Sequence, residues 1–226
     1  MKEATDFYGS KLARFKSKTV TERPAIIIDN GSYECRAGWS FDDDPYLRFR
    51  NQVAKPKTSV NRQIDAMHLV GDEISEFEAN KVARRSMFDK NIVYHLQSLE
   101  HTLDYVFSHL GLANDAQVEY PVLLTEAICN PNYSRSLVSE LVFECYNVPA
   151  LSYCVDSLLS FYYNSSQANG CSSPAKSGII IDSSHSSTHV IPVLDEQWQL
   201  PLTKRLQLGG YHHNDLLTRS LALKYP

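Results

Sequence analysis

The chain has 226 residues, 43% of them hydrophobic, with 22 Lys plus Arg against 26 Asp plus Glu and a formal net charge of −4. That length accommodates one large or two small domains around an ordinary apolar core. The slightly acidic balance excludes a uniformly basic surface built for phosphate-backbone contact, so any nucleic-acid contact must be local or indirect.

Residues 1–23 carry few apolar side chains and several cations, among them Lys11, Arg14, Lys16, Lys18 and Arg23. They read as a solvated, flexible arm, the sharper alternative being a contact with nucleic acid or an acidic surface. Residues 25–39, A-I-I-I-D-N-G-S-Y-E-C-R-A-G-W, predict a buried strand ending on Asp29. Asn30-Gly31 then offers two positive-φ positions for a tight turn, and a second strand runs through Arg36. The amides of residues 30–33 next to a carboxylate form a chemically reasonable phosphate cradle. Asp42-Asp43-Asp44-Pro45 is an acidic turn, since three consecutive carboxylates lack the spacing of a calcium loop. Residues 46–53 alternate as one half-buried strand, and residues 55–67 read as a polar surface loop leading to residues 68–73.

Residues 75–87 predict a charged helix, with Ser75 and Glu78 as its capping box. Residues 95–110 carry the clearest helical period: Leu96, Leu99, Leu103, Val106, Phe107 and Leu110 share a face and Gly111 closes it. His95, His101 and His109 are surface or packing residues. A buried strand over residues 120–125 precedes an amphipathic helix over 131–147, opened by Asn130-Pro131 and ended near Asn147. A short strand at 150–154 leads to Asp156 and an apolar helix through residue 163. This alternation predicts a mostly parallel sheet covered by helices, an α/β lobe. Residues 164–177 form a loop by composition. Strands follow near 178–182, 187–194 and 203–208, then Gly209-Gly210 and a helix over about 214–224, with His212 and His213 near its start facing solvent. The cysteines, Cys35, Cys129, Cys145, Cys154 and Cys171, are odd in number, lack a C-x-x-C pair and mostly sit in apolar runs. They point to a reducing compartment and no zinc site. No apolar run approaches bilayer length and no secretory leader is evident, so the chain reads as soluble and intracellular.

The first hairpin has a counterpart. Residues 178–193, G-I-I-I-D-S-S-H-S-S-T-H-V-I-P-V, repeat three isoleucines, an aspartate (Asp182), a polar turn and an apolar strand. Either hairpin alone is unremarkable; the two together favour related lobes that each offer a turn to a shared nucleotide cleft. His185 and His189 have the spacing of helical metal ligands, but they sit in a hairpin without a third ligand, which argues against a metal site.

I-I-I-D-N-G-S-Y-E-C-R-A-G-W resembles the first phosphate loop of the actin superfamily. P-V-L-L-T-E-A-I-C-N-P at 121–131, L-V-F-E-C-Y-N-V-P-A at 141–150 and the second hairpin follow in the family's order. S-M-F-D-K-N at 86–91, L-D-Y-V-F-S-H-L-G-L at 103–112 and L-A-L-K-Y-P at 221–226 resemble the nuclear actin-related branch associated with INO-type chromatin remodellers.

The resemblance implies an α/β, actin-like fold shared with heat-shock and hexokinase ATPase domains. Residues 24–163 would form a complete first lobe with a small insertion near 54–75, residues 164–177 a linker, and residues 178–226 the start of a second lobe, as in a C-terminally short form. By resemblance, Asn30, Gly31 and Ser32 would meet ATP or ADP phosphates. Arg36 stands in for a phosphate-contacting lysine, and Asp29 and Asp182 would hold Mg²⁺ through water. Asp156 replaces the water-orienting glutamine, and its carboxylate cannot donate the amide's hydrogen bonds. Ser183, Ser184 and His185, with Ser186, replace a glycine-rich second phosphate loop; His189 matches the family's histidine near the water. The expectation is a degenerate cleft with nucleotide weak or absent, no hydrolysis and no small-molecule substrate or membrane partner. The implied role is a nuclear scaffold, with a cytoplasmic pool as a variant, whose partners are a remodelling ATPase, its companion subunits and the nucleosome. An ATPase of the same fold and a filament-forming protein are the alternatives.

Overall fold

The computed structural model describes residue 12 and residues 18–56, 68–74, 82–112, 117–167 and 176–225. Most of the N-terminal arm, residues 57–67 of the expected surface loop, the Ser75/Glu78 capping box and residues 168–175 lie outside the described residues. The chain divides into two compact units, residues 1–126 with 130–153 and residues 127–129 with 154–226. The first contains β1 (Ile26–Asn30), β2 (Glu34–Trp39), β3 (Leu47–Arg50), β4 (Val53–Pro56), β5 (Leu69–Val70), β6 (Val82–Arg85), β7 (Phe88–Asp89), β8 (Ile92–Val93), α1 (Leu96–Phe107), β9 (Val122–Thr125), α2 (Asn132–Tyr146) and β10 (Leu151–Cys154). The second contains α3 (Asp156–Gln167), β11 (Gly178–Ser183), β12 (Thr188–Leu194), β13 (Gln197–Trp198), β14 (Lys204–Leu206) and α4 (Gly210–Lys224).

The first unit is built on a five-stranded sheet in the order β10-β9-β1-β2-β3. β1 lies parallel to β9, with Ile28 opposite Leu124, and antiparallel to β2, with Asp29 opposite Arg36. The sheet is therefore mixed where a mostly parallel one was expected. Helical crossovers make parallel neighbours, but the β1–β2 and β2–β3 connections are short and reverse the chain at once. Ile26 and Ile28, exposed 0% and 1%, share one core with Leu99, Leu103 and Val106 of α1 and Val138 and Val142 of α2. Trp39, also buried, meets the Tyr120 ring edge-on at 4.9 Å.

Several local expectations change in the folded chain. Neither Asn30 nor Gly31 has positive φ; Asn30 remains in the ladder opposite Cys35. Among the described residues, the two-residue turns with both residues at positive φ are Lys90-Asn91, between β7 and β8, and Asp195-Glu196, between β12 and β13. The strand expected over 46–53 is cut at Asn51, whose side chain turns to Asn30 and Gly31, and β4 joins a separate sheet in the order β5-β4-β6. β6 occupies the end of the segment expected to be a helix over 75–87; its cross-strand pairing with β4 outweighs a weak helical period. α1 is as expected, with His95 as its N-cap: the ring Nδ1 accepts the Ser98 N–H at 3.1 Å. Gly111, at φ 87, ends the extra turn that follows. α2 closes on Asn147 in the left-handed region, φ 49, as its sequence suggests.

The second unit has β11 paired antiparallel to β12, which also pairs with β13 and β14. α3 runs four residues into the stretch read as a linker, and the boundary between the units falls before it, after Tyr153. The reason is packing: Leu158 and Phe161 of α3 share a core with Ile128, Ile180, Ile191 and Val193. α4 starts at Gly210, four residues earlier than the sequence suggests, because Gly209 caps it.

Candidate functional site

The two hairpins share one register. Asp29 faces Arg36 as Asp182 faces His189, and Ile28 faces Ala37 as Ile181 faces Val190. The sequence repeat is thus a structural repeat, and each aspartate closes an isoleucine strand at the mouth of its turn.

In the first unit, Asp29 is held by a residue that sequence reasoning passed over. Thr125 ends β9 in register beside Asp29, and its hydroxyl donates to Asp29 Oδ1 at 2.8 Å while accepting the Asn30 N–H at 2.9 Å. The signal was present: P-V-L-L-T and I-I-I-D both end an apolar run on a short polar residue, and parallel pairing brings those ends together. The Asn30 N–H is therefore not available to phosphate, contrary to the cradle read from the sequence. Its side chain points inward too, accepting from Asn51 Nδ2 at 2.7 Å and donating to Met87 Sδ. Gly31 keeps its place through a close approach: a Cβ there would stand 2.7 Å from the Glu34 carbonyl oxygen.

Arg36, expected to reach phosphate, lies in a surface ion network. Its Nε donates to Glu34 Oε1 at 2.8 Å, its Nη1 stands 3.7 Å from Asp29 Oδ2, and Arg48 donates to the same Glu34 oxygen at 2.8 Å. The hydrogen bond from Arg48 is the chief reason the Glu34 carboxyl is held below the usual carboxylate range; Arg36 adds to it. In this arrangement the Arg36 charge offsets two carboxylates of its own hairpin.

In the second unit, Asp182 accepts from Ser184 Oγ at 2.7 Å and stands 3.6 Å from Nδ1 of His189. Burial alone would raise its pKa, yet the interactions with His189 and Ser184 prevail and hold it below the ordinary value. The 3.6 Å separation makes the His189 contact electrostatic more than a formed hydrogen bond. His189 is 2% exposed and, among the described residues, neither ring nitrogen has a hydrogen-bond partner; the Ser187 hydroxyl, in a residue exposed 0%, is equally unsatisfied. Buried polar atoms of this kind suit an ordered water.

The loop between β11 and β12 is closed on itself and onto α4. The Ser184 N–H donates to the Ser187 carbonyl, while the Ser184 and His185 carbonyls accept the Gly210 and Tyr211 N–H groups that open α4. Gly209 lets this happen, because a Cβ there would meet those two carbonyl oxygens at 2.6 and 2.5 Å. Ser183 contributes its hydroxyl to a long contact, 3.4 Å, with Thr188. Asp156 opens α3, is exposed, and accepts the Ser157 N–H at 2.7 Å, a carboxylate placed well for the helix dipole. Each unit by itself thus commits most of its site groups to protein partners, a poor fit for a resident magnesium nucleotide. Among the described residues no three His, Cys, Asp or Glu side chains gather in a metal-holding group.

A family model described as Actin matches residues 20–225. The chain is 42% identical over 206 residues to "Actin-related protein 5" of Gallus gallus, covering 89% of this chain and 33% of that protein. It is 39% identical over 206 residues to the Homo sapiens protein of that name, with the same coverages. To the Drosophila melanogaster protein of that name it is 37% identical over 215 residues, again covering 89% and 33%. The chain spans about a third of the length of these relatives. A mixed α/β architecture, a duplicated isoleucine–aspartate hairpin in one shared register and a family match over nearly the whole sequence agree: the chain belongs to the actin family.

Proposed function

We propose that the chain serves as a noncatalytic, actin-fold structural element of a nuclear ATP-dependent chromatin-remodelling assembly. Its partners are the remodelling ATPase, companion subunits and, through them, the nucleosome, in transcription regulation, DNA replication and repair. The similarity to relatives named actin-related protein 5 supports the family branch. The observation that carries the noncatalytic part is the second hairpin loop, whose Ser184 hydroxyl occupies Asp182 and whose carbonyls bond the start of α4. With the Ser184 N–H bonded to the Ser187 carbonyl and the Ser184 hydroxyl bonded to Asp182, the loop can offer these donors to a triphosphate only after protein hydrogen bonds are broken. ATP or ADP with Mg²⁺ then binds weakly or not at all. If nucleotide does enter, the carboxylate of each hairpin, Asp29 in the first unit or Asp182 in the second, is the group a cation would meet there, and the cation would supply charge neutralisation of the phosphates.

Affinity capture of the tagged chain from nuclear extract, followed by mass spectrometry, tests the assembly; recovery of a remodelling ATPase is the expected result, and its absence from repeated captures would count against the reading. A phosphate-release assay on the purified chain tests the chemistry. Steady turnover of ATP that Asp29→Ala abolishes would overturn the noncatalytic assignment.

A further inference from the structure

The first unit has a concave site that none of the hairpin residues line. A cavity of about 190 Å³ is walled by β4, β6 and the start of α1, and its polar lining consists of two cations, three imidazoles, Gln97 and Ser98. β4 and β6 pair with Lys55 opposite Ala83 and Val53 opposite Arg85, and all four residues line the cavity. Lys55 and Arg85 are thereby set on its strand side. From the other side come His95, His101 and the first turn of α1, Gln97 and Ser98, with His68 completing the wall. Among the described residues no carboxylate lines it.

Three details make this arrangement more than a solvated basic surface. Because His95 Nδ1 accepts from the Ser98 N–H, its other nitrogen, Nε2, is the one that carries a proton and can donate. The His101 Nε2 is buried without a hydrogen-bond partner among the described residues, which is costly unless something occupies the cavity. The His68 and His101 rings stack with centroids 4.1 Å apart, an arrangement that fixes both imidazoles at the wall. The N-terminal end of α1 adds the positive end of its dipole to the same space.

We propose that this cavity binds a single dianionic phosphate, as inorganic phosphate or as the terminal group of a phosphomonoester. Two cations, three imidazoles and a helix N-terminus, with no opposing carboxylate among the described residues, select an anion. The size selects a single group, because pockets that hold drug-sized molecules start at roughly 300 Å³. Enclosure by several donors favours a terminal phosphate over a diester, which carries one charge and must pass a substituent out on two sides.

Isothermal titration of the 226-residue chain with inorganic phosphate, phosphoserine and diethyl phosphate tests this, alongside Lys55→Ala/Arg85→Ala and, as a control in the other unit, Lys204→Ala. Lys55, Arg85 and Lys204 are all exposed, so the variants fold, and thermal unfolding checks it. The expected result is one site for inorganic phosphate or phosphoserine, with diethyl phosphate weaker, and about a tenfold loss of affinity in the double variant but not the control. Tighter binding of phosphoserine than of inorganic phosphate supports a phosphorylated side chain as the source; the reverse order supports the free ion. The proposal is overturned if neither monoester nor inorganic phosphate binds at roughly millimolar concentration, or if binding survives the double substitution unchanged.

Discussion

Ile28→Ala and Ile181→Ala are one substitution at equivalent places in the repeated hairpin, and the two units assign it different costs. Ile28 is 1% exposed and sits in the core with Leu99, Val106 and Val142. Truncating a fully buried isoleucine to alanine costs about 2–5 kcal/mol, transfer and cavity together. With a urea slope of about 2 kcal/mol per molar, a cost of about 3 kcal/mol lowers the first unit's midpoint by roughly 1.5 M. Ile181 is 70% exposed. Most of its side chain is already in water, and exposed substitutions fall within about 0.5 kcal/mol, plus a small loss of strand propensity, so its midpoint moves by less than roughly 0.5 M. Hydrogen-exchange mass spectrometry across a urea series reads peptides from β1–β2 and β11–β12 separately, so each unit reports its own transition. Ile26→Ala and Ile179→Ala repeat the contrast, at 0% and 70% exposure. A midpoint shift for Ile181→Ala as large as that for Ile28→Ala would refute the reasoning, because it would require the β11 face to be covered.

Cys35 is buried and its thiol is pushed well up by burial, with the Asp29 and Glu34 carboxylates adding to the shift, whereas Cys129 and Cys145 are exposed. Under native conditions, alkylation with iodoacetamide is expected to label Cys129 and Cys145 rapidly and to spare Cys35 until the first unit unfolds; early labelling at Cys35 would contradict its burial. Ser184→Ala removes a donor that helps hold the Asp182 pKa down. A depressed folded-state carboxylate stabilises above its unfolded pKa, about 3.9, and that stability is lost as pH falls through the lower folded value. The variant's deficit against the wild type in the β11–β12 transition should therefore be full near neutral pH and close as the solution is acidified below that value. A deficit that does not change with pH would show that the Ser184 hydroxyl does not act through Asp182.

The hairpin at residues 25–39, the α1 and α2 helices, the Asn147 terminator and the second hairpin were legible because each rests on local chemistry: runs of isoleucine, a 3.6-residue period, a residue tolerant of left-handed φ. The turn of the first hairpin was not. Asn30-Gly31 has the composition of a two-residue turn, but Asn30 is drawn into the ladder by the Thr125 hydroxyl and the Asn51 amide, partners 95 and 21 positions away. The same holds for Arg36, whose charge was legible and whose engagement with Glu34 and Asp29 depends on the strand register.

Sequence by itself determined that I-I-I-D occurs twice, that each copy makes a strand and hairpin, and that the chain is of the actin type. It could not say which isoleucines are inside. Identical tripeptides end with opposite faces buried: Ile26 and Ile28 lie under two helices, whereas in the second copy Ile180 packs toward α3 and Ile179 and Ile181 remain in water. A strand's alternation fixes which residues share a face, but the helices that pack against the sheet come from elsewhere in the chain, and only they decide which face becomes core.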